Sequence, residues 1–254
     1  MSKIKNILNP VKYIVLVLGL IFIIGFANMK QADKYVTSVS VKIDNQYQNY
    51  FINENDVFDL IDESGENYLL NNDYGSLDLK SIENKIKIHR FVENAEVYHD
   101  LHGNLSIDVK QNRPIARVLI NGAGDKYIST TGLILPESSH FTARVLLITL
   151  DENMYLPEDN MKFEVESSRL FELLRFVNED EFWKAQIAGI HVNIDHQLIL
   201  QPQVTKQLIE FGKAEDIAEK FKKLKIFYKE ILPYKGWNSY ESVNLKYKNQ
   251  IVCK

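Results

Sequence analysis

An uninterrupted apolar run divides the chain near its N-terminus. Residues 14–27 contain no polar side chain, and residues 13–29 form a 17-residue stretch in which Asn28 is the one strongly polar residue. At 1.5 Å rise per residue a helix of this length measures about 25 Å, the short end of what spans a bilayer. Lys12 and Lys30 at its two ends can reach the interfaces. We therefore predict a transmembrane helix over residues 13–29.

The lysines before this run predict its orientation. Residues 1–12 carry three lysines and no acid, whereas Asp33 lies among the lysines that follow. The positive-inside rule places residues 1–12 in the cytoplasm as a short tail and the bulk of the chain outside it, held by the cytoplasmic membrane. A cleaved signal peptide is the alternative. The Ala-Asn-Met-Lys sequence after Phe26 is a poor cleavage site, which favours a retained single-pass anchor.

Charge and cysteine content exclude some classes of function. The 30 basic residues include four within residues 1–30, which leaves 26 basic against 34 acidic side chains in the remainder, a net charge of −8. Proteins that bind nucleic acid neutralise phosphates with clustered Lys and Arg, so we expect no nucleic-acid partner. The single cysteine, Cys253, excludes a disulfide framework within one copy of the chain.

The part after the apolar run begins with a β-α-α-β-β pattern. Apolar and polar residues alternate over residues 37–43, as in a half-buried strand. Asn53 and Asp78 precede two stretches with an apolar stripe, which predicts two capped helices. Residues 95–109 alternate on both sides of a polar turn and predict a hairpin. Pro114 marks the end of this sheet, because proline cannot donate to a ladder.

The remaining chain, residues 117–254, predicts a mixed β-rich domain with two helices. Apolar residues recur at helical spacing over residues 165–178 and 214–231, and Pro233 is expected to end the second helix. Residues 243–247 alternate and predict a strand close to the C-terminus. Further strands are predicted at residues 126–129, 133–135, 145–148, 190–194, 198–201 and 207–211. The fold class is therefore α+β.

The six histidines invite a metal hypothesis, but their spacing does not support one. His99 and His102 lie on the predicted hairpin turn, where exposed polar residues are usual, and His191 and His196 flank Asp195 near a predicted surface strand. The sequence contains no G-x-S-x-G, no S-x-x-K with K-T-G, no P-loop and no G-x-G-x-x-G. We predict no catalytic residue, no metal, no cofactor and no small-molecule substrate.

A run of lysines lies within the predicted helix of residues 214–231. Lys220, Lys222, Lys223 and Lys225 fall mostly opposite its apolar face, as expected for a solvated surface. Contact with anionic lipid or with an acidic partner is the alternative interpretation.

Three short segments resemble the end of a POTRA domain. They are FVENAEV (residues 91–97), LSIDV (residues 105–109) and RPIA (residues 113–116). The β-α-α-β-β order is also that of a POTRA domain, which we place over residues 36–116. The stretch of residues 62–76 is longer and more polar than the compact POTRA pattern.

The chain as a whole resembles the FtsQ/DivIB family of cell-division proteins, in a Bacteroidetes-like branch. One N-terminal anchor, one POTRA domain and one β-rich domain follow each other in this order. YISTTGLILP (residues 127–136), FTARV (residues 141–145) and VNLKY (residues 243–247) are similar to stretches of the family's β domain. A POTRA-bearing chaperone or a secretion or outer-membrane assembly component is the alternative, but such proteins normally carry several POTRA copies or continue into a membrane barrel.

The resemblance implies a non-enzymatic scaffold of the cytoplasmic membrane at the division septum. It implies FtsB/DivIC-like and FtsL-like bitopic proteins as partners, and a link to septal peptidoglycan synthesis. A sheet edge has unpaired backbone groups that accept a partner strand, so we predict docking along an edge strand of residues 242–251. An edge merely protected by its lysines is the alternative. The predicted partner-binding residues are Val243, Leu245, Lys246, Tyr247 and Ile251, with Tyr247 as the main contact.

Overall fold

The computed structural model describes residues 13, 15–25, 35–45, 48–62, 64–70, 72–73, 75–100, 103–120, 122, 124–151 and 165–254, with the backbone alone for residues 165–168. Its contacts divide the chain into two compact units. The first unit comprises Met1–Asp44 and Ile52–Gln111, and the second comprises Asn45–Phe51 and Asn112–Lys254.

The N-terminal helix α1, described over residues 15–25, corrects the prediction of a transmembrane helix. In the part of the chain that the structure describes, no helix combines the length and the apolar character that crossing a membrane requires. The prediction of a membrane-spanning helix over residues 13–29 is therefore wrong.

The first unit has the predicted POTRA-like order with one additional helical turn. Within the described residues its three strands form a sheet in the order β1-β3-β2, with β1 parallel and β2 antiparallel to β3. The sheet's core includes Leu105 and Ile107, which are fully buried. The elements are β1 (Ser38–Asp44), α2 (Glu54–Ile61), α3 (Glu66–Leu69), α4 (Leu79–Lys87), β2 (Val92–His99) and β3 (Asn104–Gln111).

Local side chains explain where the helices of this unit begin. Asn53 accepts a hydrogen bond from the Asp56 amide at 3.1 Å while Asp56 accepts one from the Asn53 amide at 2.8 Å, a capping box. Asp78 likewise accepts from the Ser81 amide at 3.0 Å. The extra turn α3 lies in the polar stretch of residues 62–76. It follows Gly65, whose φ of 62° suits a residue without a Cβ.

Within the described residues, the second unit contains one nine-stranded sheet in the order β12-β11-β10-β9-β8-β7-β4-β5-β6. The pairs β4–β7, β7–β8 and β10–β11 are parallel, and the other neighbours are antiparallel. The predicted domain boundary after residue 116 lies inside β4. The strands are β4 (Pro114–Leu119), β5 (Lys126–Ser129), β6 (Ile134–Leu135), β7 (Leu146–Leu150), β8 (Ile187–Val192), β9 (Leu198–Pro202), β10 (Leu208–Gly212), β11 (Ser242–Asn244) and β12 (Val252–Cys253).

Helices pack on this sheet around an aromatic cluster. The helices are α5 (Val165–Glu179), α6 (Glu181–Gln186) and α7 (Ile217–Ile226). Trp183 of α6 and Phe221 of α7 are buried with ring centroids 4.7 Å apart, and Phe211 of β10 lies 5.4 Å from Phe221. Aromatic contacts of this kind supply a large share of the apolar burial that holds a helix on a sheet.

Pro233 does not end the last long helix, contrary to expectation. After α7 the backbone widens into a π-helical turn, Phe227–Ile231, where the Leu232 amide donates to the Phe227 carbonyl. Helix α8 (Leu232–Lys235) follows without a break and contains Pro233, whose missing N–H falls directly after the π-helical turn. Gly236, with a φ of 98°, terminates the helix instead.

Candidate functional site

The candidate partner-binding region lies at the C-terminal end of the large sheet. Strand β11 covers Ser242–Asn244 only, and it is paired on both sides, with β10 in parallel and with β12 in antiparallel orientation. The outer strand is therefore β12, Val252–Cys253, and residues 245–251 form the turn between the two strands. The edge lies closer to the C-terminus than the predicted strand of residues 242–251 would place it.

The five residues predicted to bind a partner separate into a buried and an accessible group. Val243 and Leu245 are fully buried and belong to the hydrophobic core of the second unit. Ile251 is partly buried against that core. Lys246 is exposed, and Tyr247 has 51% of its surface accessible. Of the five side chains, these last two are the most accessible.

Asn244 explains why β11 is short. Its side-chain oxygen accepts a hydrogen bond from the Lys246 amide at 2.9 Å, which is an Asx turn. The bond turns that amide away from the strand ladder and starts the turn toward β12. Asparagine at this position therefore interrupts a strand that the alternating pattern alone would extend to Tyr247.

Two charged side chains that were not predicted to lie at this site, Glu210 and Lys223, hold this turn in place. Glu210 of β10 accepts from the Asn244 side-chain amide at 2.6 Å and lies 3.3 Å from the Lys246 ammonium. The Lys223 ammonium of α7 donates to the carbonyls of Leu245, at 3.3 Å, and Tyr247, at 2.6 Å. The position of Tyr247 is thus fixed through its own backbone, which lowers the entropy cost of presenting its ring to a partner.

The lysine run of α7 is not uniformly solvated. Lys223 is one exception, because it donates to the turn after β11. Lys220 is another: it is nearly buried, and its ammonium donates to the Lys213 carbonyl at 2.7 Å and lies 4.6 Å from the ring centroid of Phe211. Burial lowers the pKa of Lys220, partly offset by Asp216 and Glu215. Helical spacing could have identified Lys220, which lies three residues after Ile217 and four before Leu224, beside the apolar stripe. It does not distinguish Lys223 from the exposed Lys222, because both lie away from that stripe.

The outer edge of β12 presents the backbone of one residue. The Lys254 amide donates to the Ser242 carbonyl at 3.0 Å and the Ser242 amide to the Lys254 carbonyl at 3.3 Å. Hydrogen-bonded and non-hydrogen-bonded pairs alternate along an antiparallel ladder, so Val243 and Cys253 form a non-hydrogen-bonded pair. The N–H and C=O of Cys253 therefore point outward, where no further strand of the described chain is paired.

Comparison with protein families identifies the class of protein that carries this edge. A family model described as FtsQ/DivIB, C-terminal related, matches residues 113–254, more than half of the chain. The chain belongs to the FtsQ/DivIB family. A second model, described as a POTRA-like domain, matches residues 34–110. No curated protein matches the chain.

The two matches confirm the family resemblance and the POTRA-like, mixed α+β fold of this FtsQ/DivIB-family chain. Together, the FtsQ/DivIB-related domain and the POTRA-like domain support a role in cell division. All of β10, β11 and β12 lies within residues 113–254. The candidate edge is therefore part of the domain for which the family is named.

The histidines of this FtsQ/DivIB-family chain do not assemble into a metal site in the described residues, where no cluster of three or more metal-ligating side chains occurs. His191 Nδ1 lies 3.0 Å from Thr149 Oγ1 and its Nε2 lies 3.1 Å from Asp151 Oδ1. Both ring nitrogens are thus engaged by the neighbouring strand β7 and the residue that follows it. Of the other histidines considered, His99 lies in β2, His196 lies in a turn and His102 lies outside the described residues.

Proposed function

We propose that this chain is a non-enzymatic scaffold of the division machinery, associated with the membrane at the division septum. It binds FtsB/DivIC-like and FtsL-like bitopic proteins and links them to septal peptidoglycan synthesis. Membership of the FtsQ/DivIB family supports the division role. The observation that carries the binding role is the outer edge of β12, together with the exposed ring of Tyr247 in the turn that precedes this strand.

The proposed mode of binding is addition of a partner strand to β12. Main-chain hydrogen bonds supply affinity in this mode, and side-chain pockets supply specificity. The outward N–H and C=O of Cys253 form the hydrogen bonds, and Tyr247 supplies the aromatic contact. A tyrosine ring adds apolar area and its hydroxyl a hydrogen bond, the combination that makes tyrosine frequent among interface hot spots.

Replacement of Tyr247 by alanine tests the side-chain contribution. We expect a loss of about 2 kcal/mol or more in binding, about thirtyfold in Kd, because truncation of an aromatic hot spot has that effect. The measurement is titration of the full chain against the ectodomain of the FtsB/DivIC-like partner. Tyr234→Ala is the matched control, since Tyr234 is also exposed but lies on α8. Equal affinities of the two variants would remove Tyr247 from the interface.

Replacement of Cys253 by proline tests the backbone contribution. Proline removes the outward N–H of β12 and leaves the inward-facing bonds of Ser242 and Lys254 in place. Cys253→Ala is the control, because it keeps the N–H and changes the side chain only. We expect the proline variant to lose partner binding at least tenfold and the alanine variant to bind like the parent. Binding of both variants with parental affinity would contradict strand addition at β12.

Depletion of the protein in cells tests the division role independently of the interface. We expect filamentous cells in which septa are missing, and rescue by the wild-type chain but weaker rescue by Tyr247→Ala. Normal septation after depletion would contradict the division role, whereas filamentation with full rescue by Tyr247→Ala would contradict only the proposed contact.

A further inference from the structure

A groove of about 850 Å³ lies in the second unit, and the strands that line it are four to six positions away from β12 in the sheet. It is located where β4, β7 and β8 begin, since these three strands run parallel and their first residues line it. At about 4.8 Å between neighbouring strands, β7 lies roughly 24 Å from β12. The groove is therefore a separate surface from the proposed docking edge.

The charge of this groove is positive in a chain whose net charge is −4. Its lining includes four basic side chains and no carboxylate among the described residues. Arg117 is already balanced, because its Nε lies 2.7 Å from Asp125 and its guanidinium 3.9 Å from Glu137. The four basic residues are Arg113, Arg117, Arg144 and Lys184.

Two of these cations are available to a ligand. Arg144 and Lys184 are both exposed and form no ion pair with any residue in the described part of the chain. A cation without a partner at a concave surface attracts anionic groups, since low-dielectric walls focus its field. Arg144 and Lys184 thus give the groove two positive charges that no acidic side chain in the described part of the chain balances.

The groove also exposes apolar side chains. Leu147 lies in β7, between two neighbouring strands, yet 42% of its surface is accessible. Tyr50 is 52% exposed and meets the Phe141 ring edge to face, with centroids 5.5 Å apart. The registers place Arg117 and Gly189 on either side of Leu147, so no large side chain covers it from β8. The occupant must combine negative charge with apolar groups.

We propose that this groove binds a short acidic segment of a partner protein, with carboxylates at Arg144 and Lys184 and apolar side chains against Leu147 and Tyr50. Charge complementarity argues for a peptide over a wall polysaccharide. Carboxylates are the strongest acceptors for sugar hydroxyls, and the described lining contains no carboxylate; its side-chain amide acceptors are Gln48, Asn49, Asn178 and Gln203. A volume of 850 Å³ lies in the range of specific ligand pockets and suits a few residues of an extended chain.

The test uses the full chain and a fluorescein-labelled peptide of repeated Glu-Glu-Leu units, followed by fluorescence anisotropy at low ionic strength. The Arg144→Glu/Lys184→Glu variant is expected to bind the peptide at least tenfold more weakly than the parent. Lys222→Glu/Lys229→Glu is the matched control, because it changes the net charge equally on exposed lysines of α7 and the π-helical turn. This control is expected to retain binding within twofold.

Two further measurements identify the ligand chemistry. A peptide with Gln in place of Glu is expected to bind at least tenfold more weakly, and Arg144→Lys/Lys184→Arg is expected to retain binding. Arg144→Gln/Lys184→Gln, with the fold checked by near-ultraviolet circular dichroism, replaces the charge reversal if the latter perturbs folding. The proposal is overturned if Arg144→Glu/Lys184→Glu and Lys222→Glu/Lys229→Glu lose peptide binding equally. It is also overturned if the Gln peptide binds as tightly as the Glu peptide. Binding of purified peptidoglycan fragments that requires Arg144 and Lys184 while the acidic peptide does not bind would also overturn it.

This proposal can fail independently of the proposed function. Tyr247→Ala is expected to leave the peptide titration unchanged, because Tyr247 does not line the groove. Arg144→Glu/Lys184→Glu is expected to leave titration of the FtsB/DivIC-like ectodomain unchanged, since β12 is far from the groove along the sheet. The two pairs of measurements therefore report on two separate surfaces.

Discussion

Tyr228 places its hydroxyl in the core of the second unit. Its side chain is 4% exposed, and its ring lies 6.1 Å from that of Trp183 and 5.9 Å from that of Trp237. Burial raises its pKa to about 12, and the neighbouring Gln207 side chain opposes this shift in part. The neutral phenol is therefore strongly preferred over the phenolate in the folded chain.

This preference predicts a stability loss in alkaline solution. The hydroxyl of the unfolded chain ionises near pH 10, and that of the folded chain near pH 12. Between these values the folded state holds the extra proton, so the contribution of Tyr228 is present below pH 10 and is lost as the pH rises to 12. Between pH 10 and 12 this effect lowers the free energy of unfolding by an amount on the order of 2 kcal/mol, and Tyr228→Phe should abolish that decrease.

Urea unfolding at pH 9, 10 and 11 checks this prediction. We expect the unfolding free energy of Tyr228→Phe to fall less steeply with pH than that of the parent. Tyr234→Phe is the control, since Tyr234 is 84% exposed, and it should reproduce the parental slope. If Tyr228→Phe also follows the parental slope, the buried phenol is not the source of the alkaline sensitivity.

At the scale of the element, the end of β10 and the turn after β11 fit together through a glycine. Gly212 closes β10 with a φ of 77°, and a Cβ on it would lie 2.9 Å from Cγ of Lys246. The Lys246 stem therefore crosses the place that a side chain would occupy. Glycine is needed here twice, for its backbone conformation and for its lack of a Cβ.

Gly212→Ala is expected to destabilise the chain by more than the backbone strain alone, which is about 1 to 2 kcal/mol. Gly122→Ala separates the two causes. Gly122 has a nearly equal φ of 78°, but nothing lies within 4 Å of its added Cβ. Urea unfolding should show the larger loss for Gly212→Ala.

The Lys246→Ala background should reduce that excess, because the double-mutant cycle removes the atom that clashes. If Gly212→Ala and Gly122→Ala lower the free energy of unfolding equally, or if Lys246→Ala does not change the effect of Gly212→Ala, the lysine side chain moves aside at no energetic cost.

At the scale of the whole molecule, the predictable features were those that a few neighbouring residues determine. Asn53 and Asp78 cap the helices that they were expected to cap, because a cap is a local hydrogen bond. The membrane-spanning helix was predicted from an apolar run, but no helix in the described part of the chain is both long and apolar enough to cross a membrane. Strand β12 could not be predicted from hydrophobic alternation, because its two residues are too few to show a period of two.

The candidate surfaces depended on contacts between distant residues and were therefore harder to predict. Alternation placed Leu245 with Tyr247 among the predicted partner-binding residues, but Leu245 is fully buried in the core, and the short strand came from the Asn244 side chain, which acts across two residues. The groove joins Tyr50, Arg144 and Lys184, which are far apart in the sequence. FTARV was noted for its family resemblance, but a single arginine in it carries no signal of a basic groove.

The division of the chain into two compact units leads to a prediction about folding cooperativity. Leu105 lies in β3 of the first unit and Leu200 in β9 of the second, and both are fully buried in strands. Leu105→Ala and Leu200→Ala should each cost about 2 to 5 kcal/mol through lost burial and a residual cavity. Amide hydrogen exchange followed by mass spectrometry reports which segments are destabilised. We expect Leu105→Ala to accelerate exchange in β1 to β3, and Leu200→Ala to accelerate it in β8 to β10, with the other unit exchanging as in the parent. Equal acceleration in both units by either variant would show a single cooperative folding unit.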